Sequence, residues 1–158
     1  MNIISHRGNI VGPNPGKENR PSYIDCAISS GLDVEVDLRL IGGELWLGHD
    51  TPDYKVTIQW IIHRHKNLWI HCKNLEASQF LFSYKDKVKY FCHTNDSYVL
   101  TSSGHIWAHD LNLKLDGNCI IPLLNNYDIF SYSGDYVHGI CTDYVTLCKN
   151  VLRDRGIL

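Results

Sequence analysis

The chain has 158 residues, 44% apolar and 20% charged, and 15 Lys+Arg against 17 Asp+Glu give a formal net charge of −2. That apolar content supports a real core and excludes a disordered chain, and the near-balanced charge argues against a generic polyanion binder, nucleic acid included. No apolar run approaches the roughly 18–20 residues of a membrane span, and the start Met1-Asn2-Ile3-Ile4-Ser5-His6 has no basic or long apolar leader. The expectation is one cytoplasmic domain over residues 1–158 with no integral membrane segment.

In chain order, residues 2–8 begin as a short apolar strand ending in His6-Arg7-Gly8, and the Gly/Pro/Asn run at 12–16 is a loop. Ser22 is placed to cap a helix over 23–30, which Gly31 stops. Residues 33–40 alternate as a strand, and Gly42-Gly43 turns the chain into a second strand over 44–48. Thr57 opens a helix with Ile58, Ile61 and Ile62 on one face and a basic end at Arg64, His65 and Lys66. A strand over 68–73, a helix over 75–84 and a strand over 88–92 follow. Shorter strands are expected at 98–101, 105–108, 119–124 and 139–142. Tyr144, Leu147, Cys148, Val151 and Leu152 recur with helical spacing and make a closing amphipathic helix. Strand–helix alternation in the first half implies parallel strands and an α/β fold. The six cysteines form no C-x-x-C pair and are expected to be reduced and mostly buried.

Chemistry concentrates at a few strand positions. In Val34-Glu35-Val36-Asp37-Leu38 the period of two puts Glu35 and Asp37 on one face. Two adjacent carboxylates repel unless a positive group sits between them, and a hard divalent cation suits them; a solvent-facing strand fits the same pattern. Trp69, His71 and Lys73 share a face in the same way. His71 suits a metal ligand or a hydrogen-bonded structural residue, and Lys73 suits an anion. Arg7 offers a fork of donors for phosphate. His6 and His49 stand at strand ends, where they could serve as general acid and base.

Taken in order, His6-Arg7-Gly8, Glu18-Asn19, Gly31 through Asp37, and Gly48-His49-Asp50 resemble the glycerophosphodiester phosphodiesterase family. The resemblance is close over residues 3–50, looser at 70–73, and returns at Gly139-Ile140-Cys141-Thr142-Asp143-Tyr144. It implies a TIM-type (β/α) barrel that hydrolyses small glycerophosphodiester-like substrates. It further implies His6 and His49 as the acid/base pair, Glu35 and Asp37 as metal ligands, Arg7 and Lys73 as phosphate contacts, and Glu18 lining the site to orient Arg7 or the metal shell. The family's third metal carboxylate falls on His71. One divalent ion is therefore expected, Mg²⁺ or Ca²⁺, with Mn²⁺ or Zn²⁺ opened by the imidazole. A phosphate- or head-group-binding protein without turnover and a lyase forming a cyclic phosphate are the alternatives.

Length is the main departure. Eight βα units share 158 residues, about 20 each against roughly 31 in a full barrel. Helices must be missing after Lys87, which leaves a reduced, lopsided barrel. Its bare side is expected to be covered by loops 93–118 and 125–138, with aromatics from Tyr98 and Trp107 to Tyr136, or by a second copy. Monomer and homodimer are both open.

Overall fold

The computed structural model describes residues 1–134 and 136–158. Its elements are β1 (Asn2–His6), α1 (Pro21–Ser29), β2 (Asp33–Ile41), β3 (Glu44–Leu47), β4 (Tyr54–Val56), α2 (Ile58–His63), β5 (Leu68–Cys72) and α3 (Leu75–Phe82). There follow β6 (Lys89–Cys92), β7 (Tyr98–Leu100), β8 (Ile106–Ala108), β9 (Cys119–Pro122), α4 (Asn126–Ser131), β10 (Gly139–Thr142) and α5 (Val145–Asp154).

The parallel strands run β6-β5-β2-β1-β10-β9-β8, and short antiparallel additions extend the sheet through β3 and β4 beside β2 and through β7 beside β8. The sheet curls until its two ends meet. Ser102, just past β7, donates its N–H to the Tyr90 carbonyl at 2.8 Å and its hydroxyl to the Val88 carbonyl at 3.1 Å. The result is a mixed α/β, reduced, barrel-like fold.

Period-two alternation splits the apolar residues into two cores. Ile4, Trp69, Phe91, Trp107, Ile120 and Cys141 pack together inside the curl. Val34, Val36, Leu38, Leu68 and Ile70 point outward and bury against helix residues such as Ala27, Ile61, Leu81 and Val151. Asp33 shares the inner face of β2 but lies at the opposite end from the site. There it accepts from Trp69 Nε1 at 3.0 Å, while Lys89 sits 4.2 Å over the Trp69 ring.

The helices have local causes. Thr57, Asn74 and Asn125 cap α2, α3 and α4 through side chains that accept from Trp60, Ala77 and Asp128 N–H groups. The first helix differs from expectation. Arg20 precedes it and Pro21 occupies its first turn, whose missing N–H and fixed φ suit that position better than a Ser22 cap. Residues 126–131, expected as loop, form α4, and β4 adds a third strand to the hairpin. Among the described residues no helix lies between β6 and β9, so the missing helices fall after Lys87.

The aromatic cover is a correction. Trp107 belongs to the inner core, because it lies on the inward face of β8. Tyr98, Tyr127, Phe130 and Tyr136 are exposed, and Tyr132 alone among the loop tyrosines is buried. Asp135, within the 125–138 loop, lies outside the described residues. No described helix is long and apolar enough to cross a membrane.

Candidate active site

The C-terminal ends of the parallel strands surround a cavity of about 220 Å³ lined by His6, Arg7, Glu35, His49, His71 and residues of β6, β8 and β9. This is the end where loops of parallel α/β folds carry chemistry. Arg7 leaves β1 in the left-handed region (φ 55), with its N–H on the Glu35 carbonyl at 2.9 Å. Asn19 is also left-handed (φ 61) and donates its N–H to the Arg7 carbonyl at 3.1 Å. Two non-glycine residues in this sparsely occupied region, bonded to each other, mark a backbone held in place by its surroundings.

Glu35 and Asp37 are buried and share a face with His71. His71 Nδ1 lies 3.7 Å from Glu35 Oε1 and 3.3 Å from Asp37 Oδ1. Its Nε2 faces the His93 carbonyl at 3.3 Å, so Nδ1 is the nitrogen turned toward the carboxylates. Arg7 Nε pairs with Asp37 Oδ2 at 2.9 Å, Lys73 Nζ approaches Oδ1 at 3.6 Å, and the Asn19 amide donates to Oδ2 at 2.9 Å. Burial works to raise the Asp37 pKa, but His71, Arg7, Asn19 and Lys73 together hold it below the usual carboxylate range. Glu35 shifts the other way: burial and the neighbouring Asp37 charge raise it, against His6, His71 and Arg7.

Glu35 Oε2 and Asp37 Oδ1 are buried without a hydrogen-bond partner, and one donor atom each from Glu35, Asp37 and His71 lies within 4.8 Å of the others. Orphaned carboxylate oxygens beside an imidazole nitrogen whose other nitrogen meets a carbonyl fit a divalent ion. Oxygen donors suit Mg²⁺, Ca²⁺ or Mn²⁺, and the nitrogen suits Mn²⁺ or Zn²⁺.

His6 carries a support that the sequence reading left unassigned. Its Nδ1 meets Asp143 Oδ1 at 2.8 Å, and the same oxygen accepts from Asn9 at 2.7 Å. Nε2 then points toward Glu35 Oε2, 3.8 Å away. Burial would depress the imidazole, but the Asp143 hydrogen bond and the Glu35 charge outweigh it and the net shift is upward. Glu18 bonds both Arg7 (3.1 Å) and Asn9 (3.0 Å), linking the two halves of this network. His49 stands at the rim with its side chain 40% exposed and its Nδ1 2.7 Å from Asp50. Arg39 holds the His49 loop by donating to the Gly48 and His49 carbonyls. Lys73 reaches Asp37 but lines a neighbouring cleft beside Cys92, so the structure pairs it with a carboxylate at the edge of the cavity.

Asn9, Asn19, Asp143, His93 and His109 are the site residues to which sequence reasoning gave no role. Asp143 was visible as the residue after a strand, and Asn19 as the neighbour of Glu18. His93 and His109 carried no local signal. Their rings stack at 3.4 Å on the far wall of the cavity. Burial first, then the neighbouring His93 and His71, lowers His109 to about 4, so that wall is neutral near pH 7.

No family model matches the chain, and no curated protein matches it. A solved structure does: a glycerophosphodiester phosphodiesterase from Agrobacterium tumefaciens str. C58, at 13% identity and a TM-score of 0.59, over 97% of this chain and 99% of that one. At this identity the likeness is one of fold, a distant structural relation.

Proposed function

We propose that the chain is a metal-dependent phosphodiester hydrolase of TIM-type barrel descent, releasing an alcohol and a phosphomonoester from glycerophosphodiester-like substrates. The observation that carries this reading is that orphaned Glu35 and Asp37 oxygens lie close to His71 Nδ1, beside a cavity lined by Glu35, His71 and an Asp143-supported His6. The fold likeness to a glycerophosphodiester phosphodiesterase supports it.

Glu35, Asp37 and His71 would hold the ion, which supplies Lewis-acid polarisation of a phosphate oxygen. Asp143 keeps the His6 proton on Nδ1 and leaves Nε2 to take a proton from the attacking hydroxyl, as the third member of a triad orients its histidine. His49, at the open rim, protonates the alkoxide as it leaves toward solvent. Arg7, fixed by Glu18 and Asp37, and Lys73 offset negative charge developing on the phosphoryl oxygens.

The test is turnover of an aryl phosphodiester and of glycerophosphodiesters across a panel of divalent metals, with phosphate products identified. Metal-dependent release of a phosphomonoester supports the reading. A cyclic phosphate as the only product would make the chain a lyase, and metal binding without turnover would make it a binding protein.

A further inference from the structure

A second reactive site lies on the outer face of the sheet, independent of the hydrolase reading. Cys72 ends β5 and Cys92 ends β6, and the two are register partners on adjacent parallel strands. Adjacent strands stand about 4.8 Å apart, inside the 4.4–6.8 Å Cα separation that a disulfide spans. The environments are unequal: Cys72 is buried and Cys92 is exposed. Ser78, on α3, places its hydroxyl 2.7 Å from Cys92 Sγ. Both cysteines and Ser78 line a cleft of about 310 Å³ open to solvent, with Lys73 on its wall.

We propose that Cys92 and Cys72 form a redox-active dithiol, a modification site at which Cys92 is the nucleophile toward low-molecular-weight disulfides and Cys72 the resolving thiol. Cys92 is the thiol that a dissolved disulfide can reach, and the Ser78 hydroxyl beside it can donate to its thiolate. Cys72 is buried, so Cys92 meets the oxidant first. The Cys92 thiolate attacks one sulfur of an oxidant such as glutathione disulfide, forming a mixed disulfide and expelling a glutathione thiolate. Cys72 then attacks the Cys92 sulfur, loses its proton to solvent and expels the second thiolate. Two protein thiols are oxidised to one disulfide as one glutathione disulfide is reduced to two glutathiones.

The experiment uses the full chain with Cys26→Ser, which removes the other exposed thiol. It is incubated with glutathione disulfide, quenched in acid, alkylated and mapped by mass spectrometry. The expected product is a Cys72–Cys92 linked peptide with two hydrogens lost. Cys72→Ser should stop at a glutathione adduct on Cys92, and Cys92→Ser should leave Cys72 unmodified. Should Cys72→Ser fail to fold, early acid-quenched samples of the parent chain should show the adduct on Cys92 before the linked peptide. A chain that gives no linked peptide, or in which Cys72 takes the adduct first, overturns the proposal.

Discussion

Glu35 and Asp37 look equivalent in the sequence, yet their surroundings divide them. Asp37 sits among Arg7, Lys73, His71 and Asn19, while Glu35 bears the burial and the repulsion. Glu35→Gln is therefore expected to leave the metal-free protein at least as stable as the parent at pH 7, and Asp37→Asn to cost roughly 3 kcal/mol by leaving the half-buried Arg7 and Lys73 without their carboxylate. Both should lose most of their divalent affinity; urea titration and calorimetry check the pair. His6→Ala should lower kcat by about 10²–10⁴ without unfolding the chain. The His6–Asp143 pair also sets a pH window. Asp143 lies below its ordinary value, because the His6 hydrogen bond and charge outweigh burial, so its contribution is present above roughly pH 3.9 and is lost as pH falls. His6 lies above its ordinary value, so its contribution is present below roughly pH 6.5 and is lost as pH rises through the folded pKa. Asp143→Asn should remove stability mainly between those limits, seen as a flattened difference profile in urea unfolding of the metal-free protein. An unchanged profile would remove Asp143 from its assigned role.

At the scale of elements, the loop from β3 to β4 carries His49 into the cavity, and its geometry depends on Gly48. That residue has φ 144 and bonds its N–H to the Asp37 carbonyl at 3.1 Å. A Cβ there would lie 2.0 Å from the Thr51 carbonyl oxygen and 2.8 Å from the Asp53 carboxylate. Gly48→Ala is expected to destabilise the protein by more than about 1 kcal/mol and to lower turnover as well, since it displaces the His49 loop. Thermal unfolding alongside kinetics would separate this from a surface effect: stability and activity both intact would mean the loop is not so constrained. The N-terminal halves of β2 and β5 do the complementary task. Their inward residues, Asp33 and Trp69, bond to each other at the end of the curl opposite the site.

Across the whole molecule, two apolar cores with different owners explain how so short a chain holds a curled sheet. The outer core belongs to strands and helices, and the inner one to β1, β5, β6, β8, β9 and β10. Where helices are missing, the inner core takes more of the burden: Phe91 and Trp107 stack at 4.4 Å between β6 and β8. Trp107→Ala should cost about 3–5 kcal/mol, the range for emptying a large buried aromatic site. Leu100, on the exposed outer face of β7, is 71% accessible, and Leu100→Lys should change stability by no more than about 0.5 kcal/mol. Chemical denaturation of the two variants measures the contrast directly. A large loss for Leu100→Lys would show that the outer face of β7 is covered in solution.

What the sequence determined by itself is whatever local periodicity controls. Period-two alternation put Glu35 and Asp37 on one face, and Trp69, His71 and Lys73 on another. Helical spacing located α5, and glycines located the hairpin turn. Those patterns act over a few residues and need no partner. Tertiary structure alone decided which groups meet. His6 and Asp143 are separated by 137 positions, and they touch because β1 and β10 are parallel neighbours. The same holds for Asn19 with Asp37 and for the His93–His109 wall, brought together by strand order and curl rather than spacing. Cys72 and Cys92 carry no pairing signal in sequence; strand register makes them neighbours, one buried and one exposed. Composition carries apolar content but not strand order, and strand order is what turns separate side chains into a site.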